Sequence, residues 1–243
     1  MRLDKFIANN SGYSRSDVKR LIKNKAIAIN QILASSSDQQ ISIFVDNVTI
    51  NDERICPQAA QYYMVHKPVN VVCANIHSGY PTVLDLLVDI PFESRSKLQI
   101  AGRLDVDTTG LVLITDDGQW NHKVTSPRSD CFKIYEVELA EPFDQTYISA
   151  FESGMLLTGE DKPTLAAKIE IIDDFHLRLG ICEGRYHQVK RMCQYANNQV
   201  VKLHRSSIGP LQLDTNLQPG EYRPLTSQEI NALADLKSDA NDH

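Results

Sequence analysis

The stretch Ala101-Gly-Arg-Leu-Asp-Val-Asp-Thr-Thr-Gly-Leu-Val-Leu-Ile-Thr-Asp-Asp-Gly118 begins as a polar loop and ends as a continuous apolar run. Gly102 and Gly110 bracket Arg103, Asp105, Asp107, Thr108 and Thr109, and residues 111–115 read as a buried strand. A glycine loop feeding a buried strand presents its side chains from a rigid support. Working outward, further strand-like runs lie at 62–66, 69–74, 133–139, 166–172 and 176–181. Helical spacing is expected at about 82–88, 119–125, 144–152 and 187–196, and Thr226 with Glu229 forms a capping box ahead of Ile230, Leu233 and Leu236. Strands outnumber helices and several follow one another without a helical crossover. The fold class is therefore α+β with a mostly antiparallel sheet, expected over residues 61–238.

Within the loop, Asp105 and Asp107 admit three readings. Held close together, two carboxylates push one pKa up and suit acid–base work. One Asp-x-Asp without further acids is a thin magnesium set. An Asp–Arg pair bracing a tight turn is the bland alternative. A second informative stretch is Glu183-Gly-Arg-Tyr-His-Gln-Val-Lys-Arg-Met192, where a strand ends at Gly184 and a basic helix follows. Lys190 and Arg191 are adjacent and so face different directions. One can turn inward to an acid and the other outward to phosphate.

The first 60 residues read as a separate small α/β module. Leu3, Phe6 and Ile7 share one helical face, and Gly12 breaks that helix. Ser14 caps a second helix with Val18, Leu21 and Ile22 inward, and Arg15, Lys19 and Lys23 repeat every four residues on its exposed face. Strands are expected at about 26–30 and 41–46, and residues 51–61 read as a linker. The chain of 243 residues has a net charge of −6, yet residues 1–31 alone sum to +5 and the remainder to −11. Such asymmetry marks a basic module that meets a polyanion. Arg185, Lys190, Arg191, Lys202 and Arg205 form a second basic cluster with no acid between them.

Composition closes off other classes. Hydrophobic residues at 42% and charged residues at 23% exclude a disordered, collagen-like or rod-like chain. There is no apolar run of about 18 residues and no secretory pattern at the N-terminus, so a cytoplasmic protein without membrane contact is expected. The five cysteines, at 56, 73, 131, 182 and 193, never form Cys-x-x-Cys and read as reduced thiols. Dinucleotide, triphosphate, serine-nucleophile and zinc-protease motifs are absent, so no cofactor and no metal is expected.

Gly102-Arg-Leu-Asp105-x-x-Thr108-x-Gly110-Leu, Lys133-x-Tyr135 and Gly184-Arg-Tyr-His-Gln-Val-Lys190 occur in this order. Together they resemble the RsuA branch of the pseudouridine synthases, which isomerise uridine within RNA. The first 60 residues resemble the RNA-binding domain first described in ribosomal small-subunit protein four. Asp107-Thr-Thr-Gly-Leu-Val-Leu, Thr115-Asp-Asp-Gly-Gln-Trp120, Thr125-Ser-Pro-Arg128 and Gly220-Glu-Tyr-Arg-Pro-Leu225 are most similar to members acting on small-subunit rRNA. That likeness implies one 16S uridine, position 516, as the target.

The resemblance implies that Asp105 is the essential aspartate, Lys190 its basic partner and Tyr135 the active-site tyrosine, whose ring can stack on uracil and whose phenol could take a proton from the sugar at C2′. Lysine replaces the arginine of several other branches, and a compact ammonium can offset a carboxylate without a bidentate clamp. Arg103 is expected to hold the flipped nucleotide, with Arg185 and Arg191 also on RNA. Arg15, Lys19 and Lys23 are expected to grip phosphates. The implied partner is small-subunit rRNA, presented as a pre-ribosomal particle to a monomeric enzyme.

Overall fold

The computed structural model describes residues 1–43, 45–76 and 79–236. The chain divides into two compact units, Met1–Ala60 and Gln61 onward. No described helix is long and apolar enough to cross a membrane.

The first unit begins with α1 (Leu3–Asn10) and α2 (Arg15–Lys23). Leu3, Phe6 and Ile7 of α1 are buried together with Val18 of α2. Ser14 accepts from Asp17 N while the Asp17 carboxylate accepts from Ser14 N, a full capping box that fixes where α2 starts. With Val18 inward, Arg15, Lys19 and Lys23 are left exposed. The strands β1 (Ile27–Ile29), β2 (Ile32–Leu33), β3 (Val48–Ile50) and β4 (Glu53–Arg54) form one sheet in the order β2-β1-β3-β4. Two hairpins close it, at Asn30-Gln31 and Asn51-Asp52, each with both central residues at positive φ. This is the turn whose twist matches antiparallel strands.

The expected strand at 41–46 does not form. Asp46 accepts from Ser42 N, and Val45 N and Asp46 N bond back to Ser42 O, so the segment closes on itself as a turn. Ile41 is buried, Val45 is 79% exposed, and Phe44 lies outside the described residues. The expected linker also starts later than 51, because Glu53–Arg54 is paired in the sheet.

The larger unit is built on a nine-stranded sheet. Its elements are β5 (Tyr62–Lys67), α3 (Phe92–Arg95), β6 (Gln99–Ala101), β7 (Thr109–Thr115), α4 (Gly118–Thr125), β8 (Lys133–Leu139) and α5 (Ile148–Ser153). They continue with β9 (Lys168–Ile171), β10 (His176–Ile181), α6 (Gln188–Tyr195), β11 (Val200–Ile208), β12 (Leu211–Gln212), β13 (Tyr222–Pro224) and α7 (Ser227–Ala234). The main path runs β13-β5-β7-β11-β8-β10-β9, with β6 on β7 and β12 on β11. Every pair of named strands is antiparallel except β7–β11, so the α+β class with a mostly antiparallel sheet holds.

The apolar run of β7 has a clear cause. Val112 and Ile114 face a core with Tyr135, Phe151 and Met192, whereas Leu111 and Leu113 face a second core with Trp120, Ile208 and Leu233. A strand covered on both faces has no position left for a polar side chain. On the second face Trp120 donates its indole N–H to Ile230 O at 3.1 Å, tying α4 to the capped helix α7.

Three expectations change here. Residues 82–88 make turns and not a helix, because Asp85 N bonds to Thr82 O and Leu87 N to Leu84 O, three residues back each time. Val83, Leu84 and Leu87 are buried all the same. Residues 69–74 form no strand. Asn70 takes positive φ, its N–H bonds to Val106 O, and only the bridge Val72–Thr82 remains. The nine-residue β11 was not expected, and it occupies the middle of the sheet. The expected domain end at 238 lies outside the described residues.

Candidate active site

The loop between β6 and β7 is held by two buried cations. Lys67, at the end of β5, has no exposed surface and donates to Pro68 O at 2.8 Å, Thr108 O at 2.7 Å and Val106 O at 3.4 Å. Arg205 on β11 is 2% exposed and donates to Gly102 O and Leu111 O at 2.8 Å each. The Arg205 guanidinium also reaches Arg103 O at 3.4 Å and the Tyr135 hydroxyl at 3.3 Å. Carbonyls at both ends of the loop therefore share one rigid, forked donor. Gly102 (φ 86°) carries the chain past Arg205, and Gly110 (φ 110°) lets β7 pass β11 where a Cβ would meet Arg205 O at 2.3 Å.

This scaffold presents Asp105, whose carboxylate is about one-quarter exposed. Lys190 Nζ lies 3.2 Å from Asp105 Oδ2 and 2.6 Å from Asp107 Oδ1. His187 Nε2 stands 3.5 Å from Asp105 Oδ1. His187 is the N-cap of α6 and has φ 49°, and its ring stacks on the exposed Tyr186 ring at 3.8 Å. The electrostatics are those of a cation shared by two acids. Burial alone would raise the Asp107 carboxyl, but the hydrogen bond and charge of Lys190 outweigh it and leave it below the usual range. Burial likewise works against the Lys190 ammonium, and the Asp107 hydrogen bond and Asp105 charge override it, holding Lys190 above its ordinary value. The positive charge between the two aspartates is thus an amine of the protein itself.

Asp105, Arg103, Tyr135, Lys190, Arg185 and Arg205 line one cavity of about 490 Å³, in the range of small-ligand sites. Tyr135 is 8% exposed, with its ring 5.9 Å from the Arg205 guanidinium carbon. Arg103 is exposed, and among the described residues its guanidinium makes no hydrogen bond or ion pair. Arg185 lies at the cavity wall, but its donors are taken by Glu183 at 3.1 Å, Lys162 O at 2.7 Å and Pro163 O at 2.6 Å. Arg191 faces away from the cavity and binds Glu160 and Thr158 O, each at 2.7 Å. Arg15, Lys19 and Lys23 belong to the first unit.

The neighbouring acids Asp107, Asp116 and Asp117 serve the loop and its flanks. Asp107 is largely exposed on the loop, Asp116 accepts from Gln61 N, and Asp117 caps α4 and accepts from Tyr62 Oη. Lys67 and Arg205 were not singled out. Arg205 reads in the sequence only as one member of the 185–205 basic cluster, because nothing local marks one arginine of a polar strand as inward-facing. For Lys67 the available signal was its place at the end of the apolar run beginning at Tyr62.

Residues 61–195 match the RNA pseudouridylate synthase family. A ribosomal small subunit pseudouridine synthase A from Haemophilus influenzae is 50% identical, over 96% of this chain and 99% of that protein. The protein of the same name from Escherichia coli is 44% identical over 96% of this chain and all of its own length. A solved structure, described as a pseudouridylate synthase, superposes with a TM-score of 0.69 at 48% identity, covering 96% of this chain and 99% of that one.

Proposed function

Since the chain belongs to the RNA pseudouridylate synthase family, we propose that it isomerises one uridine of small-subunit rRNA, position 516 of 16S rRNA, to pseudouridine. The enzyme acts as a cytoplasmic monomer on a pre-ribosomal particle. The observation that carries the reading is the Asp105 carboxylate held 3.2 Å from Lys190 in a cavity shared with Tyr135.

The reaction breaks the N1–C1′ bond of uridine, turns the uracil and rejoins it through C5. Asp105 meets the positive charge that develops at C1′, either by bonding to the substrate or by electrostatic stabilisation. Lys190 keeps that carboxylate compensated and aimed. Tyr135 offers a ring face to the uracil and a hydroxyl near the sugar. Arg103, with its guanidinium free among the described residues, is suited to the phosphate of the flipped nucleotide. Flipping costs a few kcal/mol and is cheapest where the base is already loosely stacked.

Arg15, Lys19 and Lys23 form the exposed basic row of a unit that adds affinity without sequence information. Arg185 and Arg191 contribute to RNA binding through the loop they brace. The acidic remainder of the chain disfavours a broad grip on naked RNA, which supports a structured particle as substrate. Equal activity on a short free stem-loop would argue for the naked RNA instead.

The test uses small-subunit rRNA tritiated at uracil C5 and bound by a subset of ribosomal proteins, with wild type compared with Asp105→Asn. Tritium release by wild type alone, mapped to one uridine, is the expected result. Tight binding without release by either protein would identify an rRNA-binding assembly factor, and release from large-subunit rRNA alone would move the target.

A further inference from the structure

Among the described residues, the charged side chains buried in the larger unit are all basic: Lys67 at 0%, Arg205 at 2% and Lys133 at 6% exposure. Lys67 reaches three carbonyls and Arg205 three carbonyls and a hydroxyl. Lys133 is different. Its ammonium has one long contact, 3.4 Å to Cys182 O, and no ion pair with any described carboxylate. Around it stand the Cys131 and Cys182 thiols, both pushed up and so kept uncharged by burial, and a second cation, Arg205. Burial also pushes Lys133 below the ordinary lysine range.

A buried charge without hydrogen-bond partners is among the more costly features a fold can hold, and the cost is offset when a ligand supplies the partner. Lys133 lines the same cavity as Asp105. It sits two residues before Tyr135 on β8, so both side chains leave the same face of that strand. A flipped nucleotide enters base first, because its phosphates must run back out to the RNA on both sides. The group that meets a deeply buried ammonium is therefore the uracil.

We propose that Lys133 is a further catalytic residue, whose ammonium receives the negative charge that collects on uracil as the glycosidic bond breaks. The inference rests on the isomerase reading above. In the breaking step the N1–C1′ electron pair leaves with N1 and spreads onto the uracil carbonyl oxygens. C1′ becomes electron-poor on the side of Asp105. C5 then bonds to C1′, the C5 proton departs and N1 takes up a proton, so the product is an isomer of the substrate. Negative charge arriving beside Lys133 favours its protonated form, and a fixed ammonium on a buried strand face stabilises the uracil anion more than water would.

The experiment is Lys133→Met, which keeps the length of the side chain and removes the charge. Single-turnover tritium release is expected to fall about 100-fold, as for loss of one preorganised charge donor. RNA binding should stay within about threefold. Thermal melting should rise by about 3 °C, since an unpaired buried cation has been replaced by an apolar isostere. A structural lysine would lower the melting temperature instead.

A second substrate carries 5-fluorouridine at the target position; its C5 has no proton to lose, so glycosidic cleavage and C5–C1′ bonding are read as loss of the 5-fluorouridine peak in chromatography with mass spectrometry of digests. Fluorine stabilises the uracil anion, so the gap between wild type and Lys133→Met should narrow by about tenfold. An unchanged release rate, weaker binding at an unchanged rate (which would assign Lys133 to a phosphate), or an equal gap with both substrates overturns the proposal. If wild type itself releases no tritium, it is the isomerase reading that fails.

Discussion

Lys190 touches two aspartates, and their surroundings separate their roles. Asp105 is about one-quarter exposed within the cavity, whereas the Asp107 carboxylate is 64% exposed. Asp105→Asn is expected to lower kcat by at least about a thousandfold, because the carboxylate proposed to face C1′ loses its charge. Asp107→Asn should stay within about tenfold of wild type, since Lys190 keeps Asp105 as its partner. Lys190→Met leaves Asp105 and Asp107 without the ammonium they share, and a loss of about 100-fold in kcat/KM is expected. Steady-state kinetics on the rRNA particle separates the three. The roles of Asp105, Tyr135 and Lys190 were suggested by ordered motifs, because the loop and the basic helix each announce themselves locally. Lys133 stands in the motif Lys133-x-Tyr135 and Arg205 in the basic cluster, but neither position assigns a role, because whether a basic side chain points to water or to a cavity depends on what packs around it.

At the scale of the element, β7 and β11 run side by side in parallel, with Gly110 opposite Arg205. Gly110→Ala would need a positive φ and would place a methyl group 2.3 Å from Arg205 O. We expect it to cost more than about 3 kcal/mol in urea unfolding and to displace Asp105 with the strand. At α7 the Arg223 hydrogen bond holds the Glu229 carboxyl down to about 2 from its ordinary 4.5. A carboxyl depressed by folding stabilises the protein fully above about 4.5 and loses that contribution as pH falls toward 2. Glu229→Gln, which can still accept in the capping box, should therefore cost about 1–2 kcal/mol at pH 7 after allowance for solvent screening. Its deficit should shrink as the pH of the unfolding experiment is lowered through 4. This capping box was legible because Thr226 and Glu229 are three residues apart. The turns at 82–88 were not, since their apolar spacing imitates a helix.

For the whole molecule, the division of charge, +5 over residues 1–31 and −11 over the rest, is the feature on which the proposed separation of RNA affinity from chemistry rests. Replacing Arg15, Lys19 and Lys23 together by alanine in the full chain should reduce the slope of log K against log salt by about 2–3. The single-turnover rate at saturating particle should be unchanged within about twofold, as these residues lie in the unit that does not contain Asp105. Filter binding across a salt series and single-turnover tritium release measure the two quantities. The sequence by itself determined the boundary near residue 60, the α+β class, the buried β7 and the motifs bearing Asp105, Tyr135 and Lys190. All of these depend on spacing over a few residues, on local charge, or on the strong preference of a two-faced strand for apolar side chains. Only the tertiary structure decided that β11 fills the centre of the sheet, that Lys67 and Arg205 clamp the loop that carries Asp105, and that Lys133 is buried without a full set of partners. The reason is physical: a cation's role follows from the carbonyls, carboxylates and empty space around it. Segments as distant in sequence as 67, 102–111, 133–135 and 205 supply those surroundings only after the sheet has formed.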